Sequence, residues 1–460
     1  MSDDSTRGRL TRGVKAALLD TMRRAPVGEK PAAAPSSRAA RRDMSFASLP
    51  AYQQLSSQRG MADALGLNFP FYRTHDARAG ARSVINGSEV VNFASYDYLG
   101  LNGHPEITRA VAAATEQWGT SVSASRITAG ERGFHHDLER AIADIYEAEA
   151  SLVFVSGHAT AVSTIAALLG PKDLILHDAL IHNCVVVGAQ LCGATRRSFP
   201  HNDMDALADI LASTRDRFER VLIVSEGLYS MDGDGPDLAR LADIKEQFDC
   251  WLMVDDAHAL GILGKTGKGI FEMADVDPKR IDIWLGTLSK TLVSCGGYVA
   301  GNRVLVEYLK LTAPGMVYSV GIPAPAAVAS LTAIQLMQRE PERVARLQAN
   351  GQRFLRKARE AKLDVGTSWG YAVVPIILGD SLRTIMLADR LLKRGYNAFP
   401  IVPPGVPEQS ARLRFFISSE HTAEDIDGAV AATREELTKL EQAGTSLGTM
   451  AKLMMAKIKS

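Results

Sequence analysis

Five short apolar runs, at 151–155, 174–177, 221–225, 251–254 and 281–285, recur between stretches with helical periodicity such as 136–148, 203–213 and 237–247. The runs are too short to be helices and lack the polar alternation of a strand with one face in water. Such runs are buried on both faces, and a chain that alternates them with amphipathic helices builds a mostly parallel sheet covered by helices on either side. In sheets of that kind ligands gather beyond the carboxyl ends of the strands. His177-Asp178, Ser225-Glu226, Asp255 and Lys290 all stand at or just past such ends, so one crevice is expected to collect them.

The alternating region spans 101–325 and is expected to be the large ligand-binding domain. A segment at 44–100 precedes it as an N-terminal arm, with a hairpin signal around Asn86-Gly87. Residues 326–442 restart with one long helix expected over 326–360, then strand, helix, strand and helix, which reads as a smaller α+β subdomain. Residues 1–43 are basic and then rich in Ala, Pro and Ser, the composition of a flexible extension. Residues 443–460 end in a short basic amphipathic stretch, expected to be a surface helix, with peripheral contact to a membrane as the alternative. The formal net charge is zero, so no global field favours nucleic acid. The four cysteines form no Cys-x-x-Cys pair, so neither a metal site nor a disulfide framework is indicated, in keeping with a reducing cytoplasm.

The chemistry concentrates around Lys290, in Gly286-Thr287-Leu288-Ser289-Lys290-Thr291, about 30 residues after Asp255-Asp256-Ala257-His258. A lysine amid small and hydroxylated residues, downstream of a strand ending in Asp-x-x-His, is the layout of a pyridoxal phosphate (PLP) site. The amine is needed for the Schiff base with the cofactor aldehyde, and a carboxylate keeps the pyridine nitrogen protonated. Hydroxyls beside the lysine suit the phosphate.

With these residues stand Tyr98-Leu99-Gly100-Leu101, Ser156-Gly157, Asp178-Ala179-Leu180-Ile181-His182, Glu226-Gly227-x-x-Ser230-Met231-Asp232-Gly233, and Leu413-Arg414 ahead of Glu420-His421-Thr422. As a set they resemble the α-oxoamine synthases, fold-type I PLP enzymes that condense an amino acid with an acyl thioester and expel carbon dioxide. The resemblance runs from about Asn92 to His421. It implies a fold-type I transferase, a large mostly parallel-sheet domain plus a smaller C-terminal α+β subdomain, and a homodimer with shared sites. It further implies that Lys290 forms the Schiff base and moves the α-proton, that Asp255 meets the pyridine nitrogen and that His258 meets the ring hydroxyl. His182 would stack on the ring. Gly157 and His158 would offer backbone amides to the phosphate, although the His158 side chain is equally explained by loop packing. Thr287, better placed than Ser289, would join them. Glu226 and Ser230 would lie against the cofactor. Arg414 would bind the substrate carboxylate, with Arg412 as the competing candidate. Ser319, after Tyr318, would reach into the neighbouring subunit's site.

Within the family the residues divide. Tyr96 stands where many relatives carry Asn and is similar to serine palmitoyltransferases, which implies L-serine and a long acyl chain giving a product like 3-oxosphinganine. Glycine or alanine, as in 2-amino-3-ketobutyrate CoA ligase or 8-amino-7-oxononanoate synthase, is the alternative. The stretch 123–132 departs from the usual Gly-Thr-x-x-x-His pattern and resembles synthases that work with polyketide systems, which leaves CoA or an acyl-carrier protein as the acyl donor. An aminotransferase of the same fold would also need Lys290, Asp255 and Arg414. A catalytically idle partner subunit is the remaining reading, and it is disfavoured by the presence of Lys290.

Overall fold

The computed structural model describes residues 44–64, 66, 67 and 69–444. The extension expected over 1–43 and nearly all of the tail expected over 443–460 lie outside them. The described chain forms two units, divided after residue 65. In the first, Ser45 caps a short turn and Pro50–Ala64 is helical, with proline at the first helical position, where no amide hydrogen is missed.

The second unit starts with a hairpin of β1 (Arg82–Ile85) and β2 (Ser88–Asn92). Asn86 and Gly87 both have positive φ, 52° and 72°, the conformation a two-residue turn needs to follow the strand twist. Seven strands then form the central sheet: β3 (Ala150–Phe154), β4 (Leu174–Asp178), β5 (Thr195–Phe199), β6 (Val221–Glu226), β7 (Trp251–Asp255), β8 (Ile283–Thr287) and β9 (Gly297–Gly301). Their order is β3-β9-β8-β7-β6-β4-β5. Neighbours from β8 to β5 are parallel, and β9 is antiparallel to both β3 and β8.

Successive side chains leave a strand on opposite faces, and both faces here are dry. Val221 and Ile223 of β6 join one core with Leu174, Leu176 and Val254. Leu222 and Val224 join the other with Ile175 and Met253. Each such side chain contributes roughly 1.5–3 kcal/mol by leaving water. This two-sided burial is why the strands read as unbroken apolar runs. All five expected runs are strands, with ends displaced by no more than about two residues.

Two strands escaped that reading. β5 is an edge strand whose Arg196 and Arg197 face water, and charges of this kind protect an open edge. β9 is Gly-Tyr-Val-Ala-Gly; a Cβ on Gly297 would lie 2.6 Å from the Gly157 Cα, so the strand keeps glycine where a helix crosses it closely. The single helix expected over 326–360 is two, Ala324–Arg339 and Glu342–Glu360. Pro341, without an amide hydrogen and with its ring against the preceding turn, ends the first.

The C-terminal segment adds β10 (Val373–Ile377), β11 (Tyr396–Asn397), β12 (Phe399–Ile401) and β13 (Arg412–Phe416). β10-β13-β12 is an antiparallel sheet, and β11 extends the N-terminal hairpin in parallel with β2. The closing helix Ala423–Gln442 starts from a capping box between Thr422 and Asp425. The loop after β6 straps this segment to the central sheet. Trp369 donates its amide to the Gly233 carbonyl, and Arg412 pairs with Asp232. His201 bridges Asp178 at 2.9 Å and Asp234 at 3.2 Å. These two carboxylates, against the cost of burial, raise the imidazole to about 10. No helix among the described residues is long and apolar enough to cross a membrane.

Candidate active site

A cavity of about 410 Å³ opens at the carboxyl ends of the parallel strands. Glu226 ends β6, Asp255 ends β7 and Thr287 ends β8, and register sets Glu226 beside Asp255 and Asp255 beside Leu285. Lys290 follows β8 by three residues. The cavity is lined by Tyr96, Gly157, His158, His182, Glu226, Ser230, Asp255, His258, Thr287, Ser289, Lys290 and Arg414. The structure therefore brings together the cofactor and substrate candidates except Ser319 and Arg412, which are outside the lining. Of the strand-end residues expected in the crevice, His177, Asp178 and Ser225 also lie outside it, with Asp178 turned to His201 and Ser225 bonded to Tyr229.

One end is built for an anion. Ser156 caps the helix Gly157–Leu168 by accepting from the Ala159 amide, so the first-turn amides of Gly157 and His158 face the cavity end with the positive pole of the helix. A Cβ on Gly157 would come within 2.8 Å of the Thr287 hydroxyl, so glycine lets the backbone sit against β8 there. Thr287 Oγ1 lies 2.7 Å from Ser289 Oγ and donates to the Gly296 carbonyl at 3.0 Å.

In the middle, ionisable groups face one another with little water. Burial, outweighing the raising effect of the Asp255 and Glu226 carboxylates, lowers the Lys290 amine to about 8. Burial and the neighbouring Asp255 push Glu226 up to about 8, and burial also raises Asp255. Asp255 Oδ1 accepts from the Ala257 amide at 3.0 Å, and Glu226 Oε1 accepts from the His182 amide at 2.8 Å. His258 is held neutral by burial and by the Lys290 and Arg414 cations, and its Nδ1 lies 2.9 Å from the Tyr98 hydroxyl. Burial likewise lowers His182, whose Nδ1 lies 3.0 Å from Cys184 Sγ.

At the far side Arg414 donates Nη1 to the Ser230 carbonyl at 3.1 Å, while its buried Nε has no partner. Arg412, the competing candidate, is taken up by Asp232 at 2.6 Å and by the carbonyls of Met231 and Ser410. Arg414 is therefore the arginine left available to a carboxylate.

These residues fit PLP. The amine answers its aldehyde, the Asp255 carboxylate its pyridine nitrogen, and the glycine-opened helix N-terminus with Thr287 its phosphate. Reasoning from sequence passed over Cys184 and Cys295, which also line the cavity. Cys184 follows His182 by two residues at a helix start, a spacing that could have flagged it. Met231, quoted in the motif after β6 without a role, enters beside Ser230.

Comparison with known proteins agrees with this arrangement. Residues 88–432 match the family model described as aminotransferase class I and II. An 8-amino-7-oxononanoate synthase of Symbiobacterium thermophilum is 38% identical over 351 residues, covering 76% of this chain and 89% of the relative. A putative 8-amino-7-oxononanoate synthase of Gloeobacter violaceus is 39% identical, covering 78% and 92%. Among solved structures, the serine palmitoyltransferase of Sphingomonas wittichii superposes with a TM-score of 0.81 at 26% identity, over 85% of this chain and 98% of that one. The chain belongs to the aminotransferase class I and II family, as one of its PLP-dependent α-oxoamine synthases, which are acyltransferases.

Proposed function

We propose that this synthase condenses L-alanine with a medium-chain acyl thioester to give an α-amino ketone. The relatives' name carries the reading. In 8-amino-7-oxononanoate the amine-bearing carbon holds a methyl group, so it derives from alanine, and the remaining seven carbons come from the acyl thioester. Relatives with that name are 38–39% identical over more than three-quarters of this chain. The serine and long-chain reading stays second; Tyr96 in the cavity and the fold likeness to serine palmitoyltransferase favour it.

When bound, PLP supplies an aldehyde for the substrate amine and a ring that draws electrons from Cα. The protein's groups do the rest. The two-pronged Arg414 guanidinium holds the substrate carboxylate and so fixes which Cα bond is labilised. Lys290, with its amine lowered to about 8 by burial, is uncharged in enough of the population near neutral pH to take the α-proton and later return it. In the net reaction the Cα–acyl carbon bond forms. The thioester C–S bond breaks and releases the thiol, and the Cα–carboxylate bond breaks and releases carbon dioxide. Asp255 would balance the charge of the pyridine nitrogen, His258 would hold the ring hydroxyl and His182 would cover the ring face. Glu226, raised to about 8 by burial and Asp255, would lie against the cofactor with Ser230.

A second copy of the chain completes the site by bringing in the segment around Ser319. Tyr318 and Val320 are 61% and 49% exposed on this protomer, in support of a surface that a second copy covers.

The test is an absorbance titration of the yellow, PLP-loaded protein with L-alanine, glycine and L-serine, followed by acyl thioesters of graded length. Alanine-selective spectral change, with carbon dioxide release on adding a medium-chain thioester, is the expected result. Serine selectivity with a long-chain requirement would replace the reading by its rival. Amino-group transfer without carbon dioxide would remove both.

A further inference from the structure

Phe416 is not part of the cavity lining, yet it packs against three residues that line it, and against Tyr98, which is hydrogen-bonded to one of them. It stands two positions after Arg414 on β13, so both side chains leave the same face of the strand. The Arg414 Cζ lies 4.3 Å from the Phe416 ring centroid. The His258 ring lies nearly parallel to that ring, at 6.1 Å and 21°. Tyr96 and Tyr98 pack against it at 5.1 and 5.8 Å. Phe416 itself is 2% exposed.

The surroundings of Arg414 make this contact consequential. A buried guanidinium normally has a carboxylate partner. Among the described residues no carboxylate pairs with Arg414, which has the Ser230 carbonyl, the Met231 sulfur, a hydrogen bond with the Tyr96 side chain and an unpartnered Nε. A carboxylate in this position would neutralise the cation and block the substrate. An aromatic face stabilises the charge through its quadrupole and still leaves the N–H edge free to donate.

We propose that Phe416 is a positioning residue that holds the Arg414 guanidinium ready for the substrate carboxylate without competing for its hydrogen bonds. This rests on the reading of Arg414 as the carboxylate-binding group. The role is electrostatic as well as steric, so it depends on the electrons of the ring and not only on its volume.

The experiment compares binding of L-alanine with binding of ethylamine, the same molecule without its carboxylate, to the PLP-loaded protein by absorbance titration. Phe416→Leu is expected to weaken alanine by about thirtyfold, the size of a desolvated cation–π contact, and to leave ethylamine unchanged. Replacing Phe416 by mono-, di- and trifluorinated phenylalanine keeps the shape while draining the ring face, and alanine affinity should fall stepwise with each fluorine. That series serves if the leucine variant fails to fold. Equal weakening of both ligands, or no trend with fluorination, would overturn the role. Arg414→Ala is the control: if it fails to weaken alanine selectively over ethylamine, the reading of Arg414 is at fault, whereas a selective loss there with none in the Phe416 variants rejects the role of Phe416.

Discussion

Arg412 and Arg414 stand two residues apart on one strand, both buried, and they have opposite surroundings. Arg412 meets the Asp232 carboxylate and two carbonyls. Arg414 meets one carbonyl, a sulfur, the Tyr96 side chain and an aromatic ring, but no carboxylate, and keeps a buried N–H unpartnered. The first is a satisfied charge that fastens β13 to the loop after β6. The second is a charge kept in waiting. The same contrast separates His201 from Lys290. His201 is raised to about 10 by its two carboxylates against the cost of burial, and Lys290 is lowered to about 8 chiefly by burial. Satisfied groups hold this molecule together, and groups left short of partners are where it meets its ligands.

The sharpest way to break the comparison is to remove each arginine in turn. Arg412→Ala leaves the half-buried Asp232 without its counter-charge, and stability should fall by about 2–3 kcal/mol, below the range for a fully buried pair. A lower melting temperature would register this, with alanine affinity nearly unchanged in the protein that remains folded. Arg414→Ala should do the reverse. Loss of a two-point carboxylate contact is expected to cost about 3 kcal/mol of substrate binding, or roughly a hundredfold in dissociation constant. Its melting temperature should hold or rise, because an unpaired buried charge has gone. If both variants lost stability and affinity alike, the distinction between the two arginines would collapse.

A smaller effect sharpens the contrast through pH. In cofactor-free protein the Lys290 amine must be uncharged to attack an aldehyde. Its pKa is lowered, so the reactive form grows as pH rises and levels off above about 8. Stopped-flow capture of PLP should quicken by nearly tenfold per unit below that value. An ordinary lysine would go on gaining speed to beyond pH 10, and such a profile would show that Lys290 is not desolvated.

Much of this was legible in the chain. The five apolar runs are visible because burial on both faces leaves no polar alternation, and the residues after them converge because parallel strands end on one side. What stayed hidden depends on distance along the chain or on an edge. β5 carries arginines because it faces water, and β9 is written in glycine because a helix lies across it. The choice between Arg412 and Arg414 is not local either: both precede the same Glu-His-Thr, and only the fold shows which one Asp232 takes. The grouping of Phe416 with Tyr96, Tyr98 and His258 joins residues more than 150 positions apart. Ser319 is the opposite case, a residue singled out by resemblance that lies outside this protomer's cavity.

The spread of the cavity along the chain, from Tyr96 to Arg414, gives it a history during synthesis. At ordinary ribosome speeds the lysine emerges on the order of 10 s before the arginine. On the proposed roles, for that interval the growing chain carries the group that would grip an aldehyde but not the one that would choose an amino acid. Selectivity is the last property the nascent enzyme acquires, and a pulse-labelled chain should capture PLP before it discriminates alanine from ethylamine.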